Sequence, residues 1–157
     1  MADQFAQYVA DLRQSLIDER ILDGQFLELE RYVADTPGRL EEICAAYFRH
    51  AVKFTDLMVP RLQGPPYNSL SIDWILDRYR GKTSIFGATR VTHQIDCMRK
   101  NVKDGNFESC KIAFEHIKWE SEVLQLKVEN YLKVKNQGPP IEIEDQPDYG
   151  DMNSDSE

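Results

Sequence analysis

Few residues in this chain break a helix, cross-link a backbone or suit a bilayer, and each shortage removes a class of protein. Glycine and proline number only eight and seven among 157 residues. Apolar positions recur at three- and four-residue steps rather than alternating, so helices are expected and sheet folds are set aside. No run of about 20 apolar residues occurs, which argues against a membrane span. The opening Met1-Ala2-Asp3-Gln4-Phe5 lacks a basic flank followed by an apolar run, so no secretory signal is expected. The cysteines are three, an odd number, placed far apart at Cys44, Cys97 and Cys110. Reduced, buried thiols in an intracellular protein are the expectation. His50, His93 and His116 are too widely separated to suggest a metal site, and no cofactor motif is present.

Positive charge is also short, but unevenly so. The formal net charge is −8, and the segment beyond Lys135 holds seven acids (Glu142, Glu144, Asp145, Asp148, Asp151, Asp155, Glu157) without one Lys or Arg. The rest of the chain therefore stands near −1. No basic stripe is left to follow a phosphate backbone, which argues against nucleic acid as a partner. One helical domain over 1–136 is expected, large enough for a proper core. After it, low hydrophobicity and like charge predict a disordered acidic tail over 137–157.

The helices announce themselves by periodicity and by their ends. Phe5, Tyr8/Val9, Leu12 and Leu16 predict an amphipathic helix from Ala2 to about Ile17. Asp23 reads as the cap of a short second helix carrying Phe26, Leu29/Glu30 and Val33. Thr36-Pro37 looks like a helix start, with proline at the first helical position. The third helix should run from there to about Val59, with Leu40, Ile43/Cys44, Tyr47, Phe54 and Leu57/Met58 inward, until Pro60 ends or kinks it. Gln63 to Tyr67 reads as a loop and Asn68 as the next cap. Gly87 permits a bend, Ala88 to Lys103 continues helical, and Asp104-Gly105-Asn106 reads as a stop followed by a cap. The last helix should run from Phe107 to about Lys135, with Phe107, Cys110, Phe114, Ile117, Leu124, Val128 and Tyr131 inward. Four long helices with short connections predict an antiparallel four-helix bundle, with the two N-terminal helices packed across it.

One stretch, Ile72 to Ala88, has more on it than packing. As a helix it gathers Ile72, Leu76, Tyr79, Thr83 and Phe86 on one stripe, and Asp73, Asp77, Arg80, Gly81 and Ser84 on another. Glycine inside a helix costs about 0.8–1 kcal/mol relative to alanine, so Gly81 is best explained as room for something to come close. Arg80 beside that gap is a fixed positive charge suited to an anionic group. An acid, a cation and a missing side chain on one exposed face describe a docking site.

These residues resemble the motif of the plant-type histidine-containing phosphotransfer proteins, roughly His-Gln-Leu/Phe-Lys-Gly-Ser-Ser-Ser-Ser-Ile-Gly-Ala-x-Arg-Val. Gly81, Ser84, Gly87, Ala88, Arg90 and Val91 match it, and Arg80 stands where the family has Lys. The likeness extends over roughly Leu16 to Lys135 and takes in the Ile-Leu-Asp-x-Gln-Phe stretch at Ile21 to Phe26. The phosphorylatable histidine falls on Asp77. The resemblance therefore implies a pseudo form on the same bundle, in which an imidazole nucleophile is replaced by a poorer one.

What the resemblance implies can be set out residue by residue. Partners would be receiver domains of hybrid sensor histidine kinases and response regulators in the cytokinin phosphorelay, met in cytoplasm and nucleus. The protein would be no enzyme, would need no cofactor or metal, and is expected to be a monomer. Arg78, Arg80 and Lys82 form a cationic cluster around Asp77. It either makes helix-surface salt bridges, such as Asp77 with Arg80 at i,i+3, or attracts a receiver's acidic pocket. Trp74 is either an interface anchor or packs on the neighbouring helix. None of His50, His93 and His116 carries the Lys/Arg-Gly pattern three and four residues on. Two alternatives stay open: phosphorelay through another residue, and a helical adaptor that no longer meets receivers.

Overall fold

In the computed structural model, which describes residues 2–139, six helices follow one another. They are α1 (Ala2–Asp18), α2 (Gly24–Tyr32), α3 (Arg39–Arg61), α4 (Ser69–Phe86), α5 (Thr89–Lys103) and α6 (Phe107–Gln137). The four long ones form the bundle in cyclic order, while α1 lies on α6 and α2 on α4. The acidic segment from residue 140 onward lies outside the described residues, and with it the expectation of disorder there. Among the described residues no helix is long and apolar enough to cross a membrane.

Side-chain caps set three of the helix starts. Asp23 accepts from the Gln25 amide, Asn68 from Ser71 and Asn106 from Ser109, each satisfying a donor with no partner inside its helix. The start of α3 departs from expectation. Thr36-Pro37 forms a turn instead, and α3 begins at Arg39 behind Gly38, whose φ of 81° is left-handed and which offers no side-chain cap. Pro60 does not end α3 either, since the helix continues to Arg61 with Pro60 in its last turn.

Phe86, at the end of α4, is the centre of the core. It stacks on Tyr47 of α3 with ring centroids 4.1 Å apart and meets the edge of Phe26 from α2 at 5.4 Å. Further along, Phe54 stacks on Tyr79 at 4.2 Å and leans on Phe114 of α6. Aromatic pairs of this kind contribute about 0.5–1.5 kcal/mol beyond area burial. The expected stripes of α4 and α6 are buried, save that Phe107 is half-buried. On α1 it is Val9 that faces in, and Tyr8 is exposed.

The chain between α4 and α5 is tied to the start of α2. Gly87 caps α4 at φ 87°, and its carbonyl accepts from the Asp23 amide at 3.0 Å. Thr89 Oγ1 donates to Asp23 Oδ2 at 3.3 Å, so one aspartate caps α2 and ties it to the α4–α5 turn. A second tie is buried. Glu30 of α2 accepts from Arg13 Nε of α1 at 2.8 Å, from Lys135 Nζ of α6 at 2.8 Å, and from the Tyr131 hydroxyl of α6.

Candidate functional site

Successive residues of a helix point about 100° apart, and that rotation divides the candidate residues of α4 between two faces. Asp73, Asp77 and Arg80 face α5. Trp74, Arg78 and Lys82 turn the other way, toward α3. Gly81 lies between them on the outward crest, exposed, and a Cβ built on it would meet nothing within 4 Å. Ser84 is exposed one turn before the capping Gly87.

On the α5 side the acids and cations are already matched. Arg99 donates from Nε and Nη2 to both Asp73 oxygens, at 2.9 and 3.2 Å, and from Nη1 to Asp77 Oδ1 at 3.0 Å. Arg80 forms a two-point pair with Asp96 of α5, at 2.5 and 3.2 Å. Hydrogen bonding to Asp73 raises the Arg99 pKa against the lowering from its burial, and hydrogen bonding to Asp96 raises that of Arg80. Partly exposed pairs of this kind contribute about 0–1 kcal/mol each, so their effect is to fix side-chain positions and local charge.

This arrangement corrects two expectations. Arg80 is not paired with Asp77 and is not an uncommitted cation. Arg78, Arg80 and Lys82 are not one cluster, because Arg78 and Lys82 belong to the opposite face. There they line a groove of about 260 Å³ between α3 and α4, together with His50 and Lys53 on the α3 side. The Arg78 guanidinium lies over the Trp74 ring, 4.7 Å from its centroid. Trp74 is 59% exposed, so it stands at the groove's edge instead of packing into α3. His50, His93 and His116 are all exposed. Cys44 and Cys110 are buried, and burial raises their thiol pKa values to about 12 and about 11, whereas Cys97 is only half-buried. All three are free thiols. Among the described residues no cluster of three or more His, Cys, Asp or Glu could hold a metal ion.

Comparison with known proteins connects this geometry to a lineage. No family model matches the chain. It is 25% identical over 130 residues to a pseudo histidine-containing phosphotransfer protein of rice, covering 82% of this chain and 86% of the relative. A second rice pseudo protein is 27% identical over 132 residues, covering 83% and 87%. Histidine-containing phosphotransfer protein 4 of Arabidopsis thaliana is 28% identical over 113 residues, covering 71% and 89%. The bundle superposes on a solved histidine-containing phosphotransfer protein of Medicago truncatula with a TM-score of 0.78, at 23% identity over 86% of this chain and 92% of that one. A maize counterpart gives 0.77, at 21% identity over 85% and 98%. In sequence and fold this chain is similar to plant histidine-containing phosphotransfer proteins, pseudo forms among them.

Seen as a phosphotransfer motif, Asp77 to Val91 contains two kinds of residue. Gly87, Ala88 and Val91 are buried, and Arg90 donates from Nη2 to the Glu19 carbonyl at 2.7 Å. These four hold the scaffold together. Asp77, Gly81 and Ser84 are exposed. Sequence reasoning missed Arg99 and Asp96, which set the charge around Asp77. Their spacing of three on α5 matches that of Asp77 and Arg80 on α4, and antiparallel neighbours with opposite order are the signal that could have found them.

Proposed function

We propose that this chain is a pseudo-phosphotransfer protein that binds receiver domains of hybrid sensor kinases and response regulators through the outward face of α4, without carrying phosphate. Its setting would be the cytokinin phosphorelay, in cytoplasm and nucleus, and its effect would be to occupy receivers that competent phosphotransfer proteins need. The observation that supports this most directly is Asp77. It is exposed on the docking crest at the position of the family's nucleophile, with the open Gly81 one turn on. A carboxylate is a weaker nucleophile for this exchange than a neutral imidazole. Yet it does not forbid docking, because the Arg99 guanidinium at 3.0 Å offsets the charge that Asp77 would present to an acidic receiver pocket.

Phosphotransfer assays test the reading. Incubation with an autophosphorylating hybrid kinase and radiolabelled ATP should leave the protein unlabelled. Acid-labile label that disappears on mutating His50, His93 or His116 would instead establish phosphorelay through another residue. Asp77→His should take up label slowly, since Arg78 and Lys82 stand where the family has Gln and Ser. Gly81→Gln should leave the helix intact, because glutamine is the better helix former, yet weaken receiver binding at least about tenfold, or about 1.4 kcal/mol. Unchanged receiver binding by Gly81→Gln would favour the adaptor alternative.

A further inference from the structure

The groove between α3 and α4 combines basic rims with an apolar floor. His50 and Lys53 stand on its α3 rim, Arg78 and Lys82 on its α4 rim, and no acid lines it. None of Arg49, Lys53, Arg78 and Lys82 has an ion-pair partner among the described residues, although the cations facing α5 are matched by acids. Burial, followed by the positive charges of Lys82, Lys53 and Arg49, lowers the His50 pKa, which marks how closely these cations gather. The floor is apolar, made by Phe54, Leu57 and Ile75. In a chain of net charge −8, cations left unmatched around an apolar channel call for an anionic segment with apolar side chains.

The chain contains such a segment. Ile141-Glu142-Ile143-Glu144-Asp145 alternates isoleucine with acid, and three of the seven acids beyond Lys135 fall within it. In an extended conformation its isoleucines would share one side and its glutamates the other, which suits an apolar floor between basic rims. Reach is sufficient. The end of α6 lies against the start of α3, where Asn136 Nδ2 donates to Glu41 Oε1 at 3.0 Å. Lys53 is then about 18 Å further along α3, at 1.5 Å per residue. Ile143 is six residues beyond Gln137, about 20 Å when extended. Between the two, the exposed flank of α3 carries the small Ala45 and Ala46 beside Arg49.

We infer that the acidic segment Ile141–Asp148 folds back along α3 and occupies the α3–α4 groove of its own chain, with Ile143 reaching the floor and Glu142, Glu144 and Asp145 against the basic rims. This does not rest on the receiver reading. Where both hold, the segment shields the part of the α4 crest that carries Trp74 and Arg78, and a receiver must displace it.

The test uses the full-length chain with Trp119→Phe, so that Trp74 at the groove's edge is the sole tryptophan. Neutralising Glu142, Glu144, Asp145 and Asp148 to their amides should raise acrylamide quenching of Trp74 about twofold, and 0.5 M salt should do the same to the parent. Lys53→Glu with Lys82→Glu should match that increase. Adding Glu142→Lys and Glu144→Lys to this pair should restore protection. Unchanged quenching on neutralising the acids overturns the proposal, and it does so even if an added receiver protects Trp74, in which case the groove belongs to the receiver. Protection lost with the acids but indifferent to Lys53→Glu and Lys82→Glu overturns the groove assignment. Protection that rises with protein concentration assigns the groove to the acidic segment of a second copy.

Discussion

Gly87→Ala is expected to lower the thermal midpoint by about 6–16 °C. Two costs combine at this position. Its φ of 87° lies in the left-handed region, where a side chain costs about 1–2 kcal/mol. A Cβ would also stand 2.5 Å from Asp23 Oδ1 and 2.8 Å from the Phe26 amide nitrogen. The second contact is with backbone, so α2 must shift, and with it the Phe26 ring that meets Phe86. Together these point to about 3–4 kcal/mol, and a chain of this size loses about 2–4 °C per kcal/mol. Gly81→Ala is the control. Nothing lies within 4 Å of its Cβ, and removing a helical glycine should stabilise by about 0.5–1 kcal/mol. Thermal unfolding followed by circular dichroism at 222 nm would separate the two. Equal midpoints would show that the α4–α5 turn is not held as described.

Glu30→Gln should cost about 1.5–3 kcal/mol at neutral pH, the range for hydrogen bonds to a charged group. The side chain is 8% exposed as a residue and accepts from three donors on two other helices. Burial alone would raise its pKa, but the hydrogen bonds from Lys135, Tyr131 and Arg13 outweigh it, and the net shift is downward. The sign of the pH effect follows. A carboxylate whose folded pKa is depressed contributes stability that is present above its unfolded value, about 4.3, and lost as pH falls through the folded value. Denaturant titrations should therefore show a large gap between parent and Glu30→Gln at pH 7, narrowing steadily below about pH 4.5. A gap that is constant down to pH 2.5 would mean that Glu30 does not act through its charge.

Much of the architecture is legible from local rules. Asp23, Asn68 and Asn106 each precede an apolar-periodic run, and each caps its helix through its own side chain. The inward residues of α4 are those at helical spacing from Ile72 to Phe86. Thr36-Pro37 misled because a left-handed Gly38 intervenes, which shifts the start of α3 to Arg39 without any side-chain cap. The site was half legible. Spacing placed Asp77, Gly81 and Ser84 on an exposed crest, but charge partners across helices depend on which neighbour each face meets. Arg99 and Asp96 lie 16–26 residues from the groups they pair with, and nothing on α4 alone names them. Glu30 was similarly opaque, since its partners Arg13 and Tyr131 come from opposite ends of the described chain.

That last separation bears on how the molecule comes apart. The helices α4, α5 and α6 are consecutive and joined by short turns, so their contacts close small loops. The bonds from Tyr131 to Glu30 and from Arg13 to Tyr131 span 101 and 118 residues. Loop closure over such spans comes late in folding, and contacts made late chiefly govern the rate of escape from the native state. The pair α1–α2 is thus a latch on the bundle. When Glu30 lets go, the N-terminal helices can lift while α3 to α6 stay associated, and amide exchange should enter the molecule first through α1 and α2.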